Sequence, residues 1–202
     1  MLKLIKTIEN LKKTEIKKVI DERIKEFKST RDDEQLFSEL SYCVMTAGFR
    51  ADKSIEIQKK IGDGFLYLPE KKLEEKLRES GYRYPNRAEY IVHNRKYIHE
   101  LKNSSREWLI EKINKKKRIK GIDMKEASHF LRNTGHSDYA IIDFHIIDIL
   151  AKYNIISKPK TINKKNYIEI ENVLKNIAEK SNLNLAELDL YLWYLETGKV
   201  LK

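Results

Sequence analysis

Cysteine is nearly absent: Cys43 is the only one among 202 residues, which excludes an internal disulfide framework and any cluster or zinc site built on several thiolates. Cys43 falls in the apolar pattern Leu40, Cys43, Val44, Ala47, the setting of a buried structural thiol rather than a nucleophile. The five histidines form no HExxH pair, and the neighbours His93 and His99 lack a matching carboxylate arrangement, so no metal site is expected. No apolar run approaches the roughly 18 residues that span a bilayer. The N-terminus has no signal-peptide pattern, and an intracellular protein is expected. Only seven glycines and three prolines interrupt the chain.

Charge is abundant. Lys and Arg outnumber Asp and Glu by 41 to 31, a formal net charge of +10, so the surface attracts polyanions at long range. Nucleic acid heads the list of partners, although an anionic membrane surface also fits the charge alone. With 41% hydrophobic residues the chain can bury a core in one unit or in two small lobes.

Apolar spacings of three and four predominate, and the fold class read from them is all-α. Asp32 precedes a helix whose Leu36, Phe37, Leu40, Val44 and Ala47 share a face and which Gly48 stops. Pro69 opens PEKKLEEKLRES, which ends at Gly81. The pattern predicts further helices at roughly 3–28 with a break near Thr14, 51–61, 86–102, 105–118, 124–134, 144–153, 162–181 and 185–197. No internal repeat or Ser- or Pro-rich linker separates independent domains.

The segment from Ser105 to Leu150 carries the chemistry. An amphipathic helix capped by Ser105 runs into Lys115, Lys116, Lys117 and Arg118, Gly121 breaks the chain, and MKEASHFLRN resumes a helix that Gly135 ends. At such a turn the backbone N–H groups point outward together and form a concavity suited to a phosphate. An ordinary helical hairpin with a solvated lysine run fits the same geometry.

Lys125 lies on the first turn of the second helix, and Asp143 immediately precedes FHIIDILAKY. A lysine is a nucleophile only when neutral, and both the positive end of a helix and partial burial favour the neutral amine. Breaking an N-glycosidic bond develops positive charge on deoxyribose, which a nearby carboxylate stabilises more in the transition state than in the ground state. An amine attacking C1′ yields a Schiff base, which acidifies the C2′ proton and lets the 3′ phosphate leave. Lys125 is also one of 41 basic residues, and Asp143 also reads as a helix N-cap.

KGIDMKEASHFLRN followed by AIIDFHIIDIL resembles the helix-hairpin-helix and Gly/Pro-Asp signature of the DNA glycosylase superfamily, and specifically the archaeal-type second class of 8-oxoguanine DNA glycosylase/AP lyases. QKKIGDGF, RAEYIVHNRKYI and LDLYLWYLETGKVLK extend the likeness over most of the chain. The resemblance implies a two-lobed helical fold with its active site in the cleft between lobes. One discontinuous lobe would comprise residues 1–48 and 136–202, and the other 49–135, with the helix-hairpin-helix at about 105–134. It implies Lys125 as the Schiff-base lysine and Asp143 as the catalytic aspartate, and Lys120, Gly121, Ile122 and Met124 as the DNA-backbone contact. It implies lesion recognition by Trp193, stacking on the flipped base, and by Lys202, with Tyr84 as the opposing stacking face. Guanine and 8-oxoguanine differ chiefly at N7 and C8, so an acceptor aimed at N7–H discriminates them. The implied partner is double-stranded DNA containing 8-oxoguanine, bound by a monomer without cofactor. Endonuclease III-like relatives carry a four-cysteine iron–sulfur cluster, which Cys43 alone cannot make.

Two departures stand out. Asp123 replaces the second glycine of the family's GIG or GVG, and Gly48 replaces the asparagine of TAN. A carboxylate at 123 either repels a phosphate, points into solvent or caps the second helix. A non-catalytic helix-hairpin-helix module, or the same enzyme class acting on another oxidised base, are the competing readings.

Overall fold

A computed structural model describes residues 1–202. The chain separates into two compact units, one made of Met1–Ser29 with Gly135–Lys202 and one of Thr30–Thr134. The expected first boundary, residue 48, therefore moves to residue 29, while the second falls within a residue of its expected place. Helix α3 (Asp33–Thr46) explains the move. All of its residues from Leu36 to Thr46 except Ser38 are buried, and it packs on the helical segments that follow it in sequence rather than on those before it.

The first unit contains α1 (Leu2–Leu11), α2 (Ile16–Phe27), α10 (Phe144–Lys152), α11 (Lys164–Lys180) and α12 (Leu185–Thr197). Its centre is α12, which packs on α2, α10 and α11. Leu185, Leu188 and Leu192 form a buried stripe at helical spacing, while Leu195, on the same face one turn on, is only half-buried. Asn184 caps α12 reciprocally with Glu187, and Gly198 ends it in a left-handed conformation.

The second unit contains α3, α4 (Ala51–Ile61), α5 (Gly64–Tyr67), α6 (Glu70–Glu79), α7 (Ala88–Asn94), α8 (Arg106–Ile110), strands β1 (Lys112–Ile113) and β2 (Lys116–Lys117), and α9 (Met124–Asn133). Asp32 caps α3 where the sequence places the helix start, and Gln35 closes a capping box with it. The helix expected over 86–102 is α-helical only through α7, and Arg95–Asn103 tightens to a 3₁₀ helix. There Arg95 bonds the carbonyls of Phe65 (2.8 Å) and Leu68 (2.7 Å) that the end of α5 leaves free.

The predicted helix over 105–118 is the main correction. Ser105 caps α8 as expected, but the helix stops at Ile110 and an antiparallel hairpin follows, pairing Lys112 with Lys117 and Ile113 with Lys116. Asn114 and Lys115 both adopt positive φ, 50° and 67°, the conformation of a tight two-residue hairpin loop. A continued helix would put Lys112, Lys115 and Lys116 on one face at spacings of three and four, where like charges repel. Instead, Arg118 N–H donates to the Glu111 carbonyl at 2.8 Å, its guanidinium pairs with the Glu111 carboxylate, and it lies 4.9 Å from the Trp108 ring centroid.

Candidate active site

In the second unit, the turn into α9 is built around Gly121. Its φ of +77° suits glycine, and a Cβ there would approach Tyr90 Cδ2 at 2.9 Å and Val44 Cγ1 at 3.0 Å. Asn94 clamps the preceding residue from α7: its Oδ1 accepts the Lys120 N–H at 2.9 Å and its Nδ2 donates to the Lys120 carbonyl at 3.0 Å. The Lys120 ammonium pairs with Glu89, whose carboxyl is held below the usual carboxylate range by that hydrogen bond and the attached positive charge.

These contacts narrow the expected backbone grip. The amide of Lys120 is committed to Asn94, and that of Met124 donates to Asp123 Oδ1 at 3.1 Å. The N–H groups of Gly121 and Ile122 donate to no protein acceptor. Of the four residues named from the sequence, Gly121 and Ile122 thus retain amides able to meet an anion.

Asp123 is a cap. It forms a capping box with Glu126, whose Oε2 accepts the Asp123 N–H at 3.2 Å, and its Oδ2 lies 2.9 Å from Lys117 Nζ. Lys117 therefore offsets the carboxylate that departs from the family's glycine. Glu126 is only 8% exposed, and its Oε1 lies 3.6 Å from Lys125 Nζ, so the same carboxylate that closes the cap also holds the amine. Lys125 sits on the first turn of α9 as predicted, with its side chain 23% exposed. Glu126 was not singled out from the sequence, although its D-x-x-E spacing from Asp123 is the signal of a capping box.

In the first unit, Asp143 caps α10, accepting the Ile146 N–H at 3.1 Å. The three residues before it are buried, and α11 holds them. Tyr167 Oη donates to the Ala140 carbonyl (2.7 Å) and accepts the Ile142 N–H (3.2 Å), while Glu171 Oε1 accepts the Ala140 N–H (3.0 Å). Sequence patterns gave no hint of Tyr167 or Glu171 in this role, because the contacts join residues 25 to 31 apart. Two residues after Asp143, His145 meets the Trp193 ring edge-on with centroids 4.9 Å apart, and Phe144 lies 4.1 Å from the His145 ring. Trp193 is half-buried, and its Nε1 is enclosed with no hydrogen-bond partner. Lys202 is half-buried at the far end of the segment after α12.

Tyr84 belongs to the second unit and faces Gly48, whose added Cβ would sit 3.7 Å from the Tyr84 hydroxyl. Arg87 and Arg83 lie 4.8 and 5.4 Å from its ring centroid. Neighbouring Tyr82 is buried and donates to the Met45 carbonyl at 2.9 Å; burial pushes its hydroxyl up to about 12. No three His, Cys, Asp or Glu side chains gather to hold a metal ion, and Cys43 is buried. No helix is long and apolar enough to cross a membrane.

A short helix, a glycine turn with two unsatisfied amides and a second helix bearing a lysine on its first turn define a helix-hairpin-helix protein. The family model described as 8-oxoguanine DNA glycosylase matches residues 20–183. A Methanocaldococcus jannaschii protein named 8-oxoguanine DNA glycosylase/AP lyase is 52% identical, over 98% of this chain and 99% of that one. A Thermotoga maritima protein of the same name is 44% identical over 99% of each. The crystal structure of the Methanocaldococcus jannaschii enzyme in complex with DNA containing 8-oxoguanine matches with a TM-score of 0.93 at 51% identity, covering 100% of both chains. The Thermotoga maritima enzyme's structure matches with a TM-score of 0.90 at 43% identity, covering 99% of each. The chain belongs to the 8-oxoguanine DNA glycosylase family.

Proposed function

We propose that this protein is a DNA repair enzyme that excises 8-oxoguanine from duplex DNA and then cleaves the strand 3′ to the abasic site. The observation that carries the reading is Lys125, an amine on the first turn of α9 held by the buried Glu126, beside two unsatisfied amides at Gly121 and Ile122.

Lys125 Nζ attacks C1′ of the damaged nucleotide as the C1′–N9 bond breaks. Positive charge grows on the sugar, and the Asp143 carboxylate stabilises it. The departing base takes up a proton, and the amine, after losing one of its own, is left bonded to C1′ beside the ring oxygen; the C1′–O4′ bond then opens, O4′ takes up a proton, and an iminium forms at C1′. Loss of the C2′ proton then expels the 3′ phosphate by β-elimination. Asp143 keeps its capping bond to Ile146 N–H through one oxygen, which leaves the other available to the sugar.

Trp193 is assigned to stacking on the extruded base, with Tyr84 as a second aromatic surface and Lys202 as a reader of the lesion. A buried donor without an acceptor costs about 1–3 kcal/mol, so Trp193 Nε1 gains from an acceptor brought by a ligand. Gly121 and Ile122 carry the backbone grip, with no base-specific content. The protein acts as a monomer without an iron–sulfur cluster.

Incubation with an 8-oxoguanine duplex under borohydride traps a covalent adduct, and Lys125→Gln abolishes it. An undiminished adduct in the variant refutes Lys125 as the nucleophile. Comparing excision of 8-oxoguanine, thymine glycol and uracil tests the lesion. Deleting Lys202 weakens 8-oxoguanine selectively, and unchanged selectivity refutes its role.

A further inference from the structure

We propose that the β1–β2 hairpin is a second grip on duplex DNA, in which Lys112, Lys115 and Lys116 hold the phosphate backbone. The inference rests on the DNA-directed reading above and extends its contact beyond the amides of Gly121 and Ile122.

The distribution of neutralised and free charge carries the argument. Between Lys112 and Lys120 the chain has six cationic side chains. Three are already engaged: Lys117 with Asp123 and the Ile122 carbonyl, Arg118 with Glu111, and Lys120 with Glu89. Lys112, Lys115 and Lys116 are exposed and have no carboxylate partner. The uncompensated charge is therefore concentrated on the hairpin, on one short element.

The backbone displays these lysines in a defined way. Lys115 occupies the left-handed region at φ 67°, an uncommon conformation for a residue with a Cβ, and it does so at the exposed tip. Two cross-links tie the base of the hairpin down. Arg118 bridges Glu111 and the Trp108 ring, and Lys117 Nζ donates to the Ile122 carbonyl at 2.8 Å and to Asp123. Through Lys117 the hairpin is bonded to the very turn whose Gly121 and Ile122 amides are unsatisfied. Two anion-seeking features, amides and ammonium groups, thus share one hydrogen-bonded support.

Phosphodiester oxygens are the chemistry that both features accept. A membrane surface is disfavoured as the occupant, because docking there uses an apolar helical face, whereas the hairpin exposes a single large apolar side chain, Ile113. Ammonium groups on short strands bind as point charges, so the contact is blind to base sequence and steep in salt.

The test is the salt dependence of binding to an undamaged 25-base-pair DNA duplex, measured by fluorescence anisotropy. The triple variant Lys112→Gln, Lys115→Gln, Lys116→Gln is compared with wild type and with the triple Lys→Arg variant. Each lost phosphate contact lowers the slope of log affinity against log salt by about 0.9, so the glutamine variant is expected to be shallower by about 2 to 3. The arginine variant keeps the wild-type slope, and thermal midpoints are unchanged because the three side chains are exposed. An unchanged slope in the glutamine variant overturns the proposal, as does an equal loss in the arginine variant. So does a loss seen with a 25-base-pair RNA duplex but not with DNA. The borohydride adduct at saturating enzyme is retained in the glutamine variant, which still has Lys125. If wild type forms no adduct while the glutamine variant flattens the salt slope, the enzymatic reading fails and the hairpin grip stands.

Discussion

The two candidate catalytic groups are held by different physics. Lys125 stands on a charged, partly exposed turn stitched by ion pairs and caps: Glu126 to the amine, Asp123 to α9 and Lys117, Glu89 to Lys120. Asp143 follows a buried segment pinned by Tyr167 and Glu171, both 2% exposed. Electrostatic stitching at a surface is weak and screened by salt, whereas buried hydrogen bonds are costly to leave unmade. The contrast implies that the lysine's surroundings respond to charge and ionic strength, and those of the aspartate respond to packing.

The sharpest way to break that contrast is at Asp143 itself. Asparagine caps a helix as well as aspartate does. Asp143→Asn is therefore expected to leave the thermal midpoint nearly unchanged while lowering the single-turnover excision rate by about 10²- to 10³-fold, the scale of losing one electrostatic stabiliser. Rapid-quench assays on an 8-oxoguanine duplex read the rate. A variant of full activity would reduce Asp143 to a cap.

Next in size is Tyr167→Phe, which leaves the Ile142 N–H and one Ala140 carbonyl interaction unmade. The expected cost is about 1–3 kcal/mol in urea denaturation, with little dependence on salt. By contrast, Asp123→Asn keeps the cap and loses the pair with Lys117, and is expected to cost less than about 1 kcal/mol, a loss that shrinks in high salt. Equal costs for the two would dissolve the comparison.

The smallest effect is at Glu89. Its hydrogen bond to Lys120 and the attached positive charge favour the carboxylate and lower the pH at which it protonates in the folded state, so the pair's contribution is present above the carboxyl's unfolded value and is lost as pH falls through the folded one. Side-chain NMR titration is expected to place its midpoint below the usual carboxylate range, and Lys120→Gln is expected to return it. An unmoved midpoint would show that Lys120 is not what holds it.

Local signals carried much of this protein. Asp32 with Gln35, Ser105, Asp143 and Asn184 are caps whose effect reaches two or three residues, and the helix starts they announce are where the sequence puts them. Lys125 was legible for the same reason, since a first-turn position follows from where the helix begins. The hairpin at 112–117 was not legible as such, because its apolar spacing mimics the end of a helix and the repulsion among its lysines has no periodic signature.

By itself, the sequence determined the mostly helical character, the helix starts at Asp32, Ser105 and Asp143, the catalytic pair as candidates and the family. These rest on contacts within a turn or on motifs read in order. Tertiary structure alone decided that α3 belongs with the residues after it, that Asn94 takes the amide of Lys120 from 26 residues away, and that Tyr167 and Glu171 hold the approach to Asp143. It also decided that Asp123 is a cap balanced by Lys117 rather than a bare charge facing a phosphate. Such partners are chosen by burial and chain crossing, which bring distant residues to one place and leave no trace in local spacing.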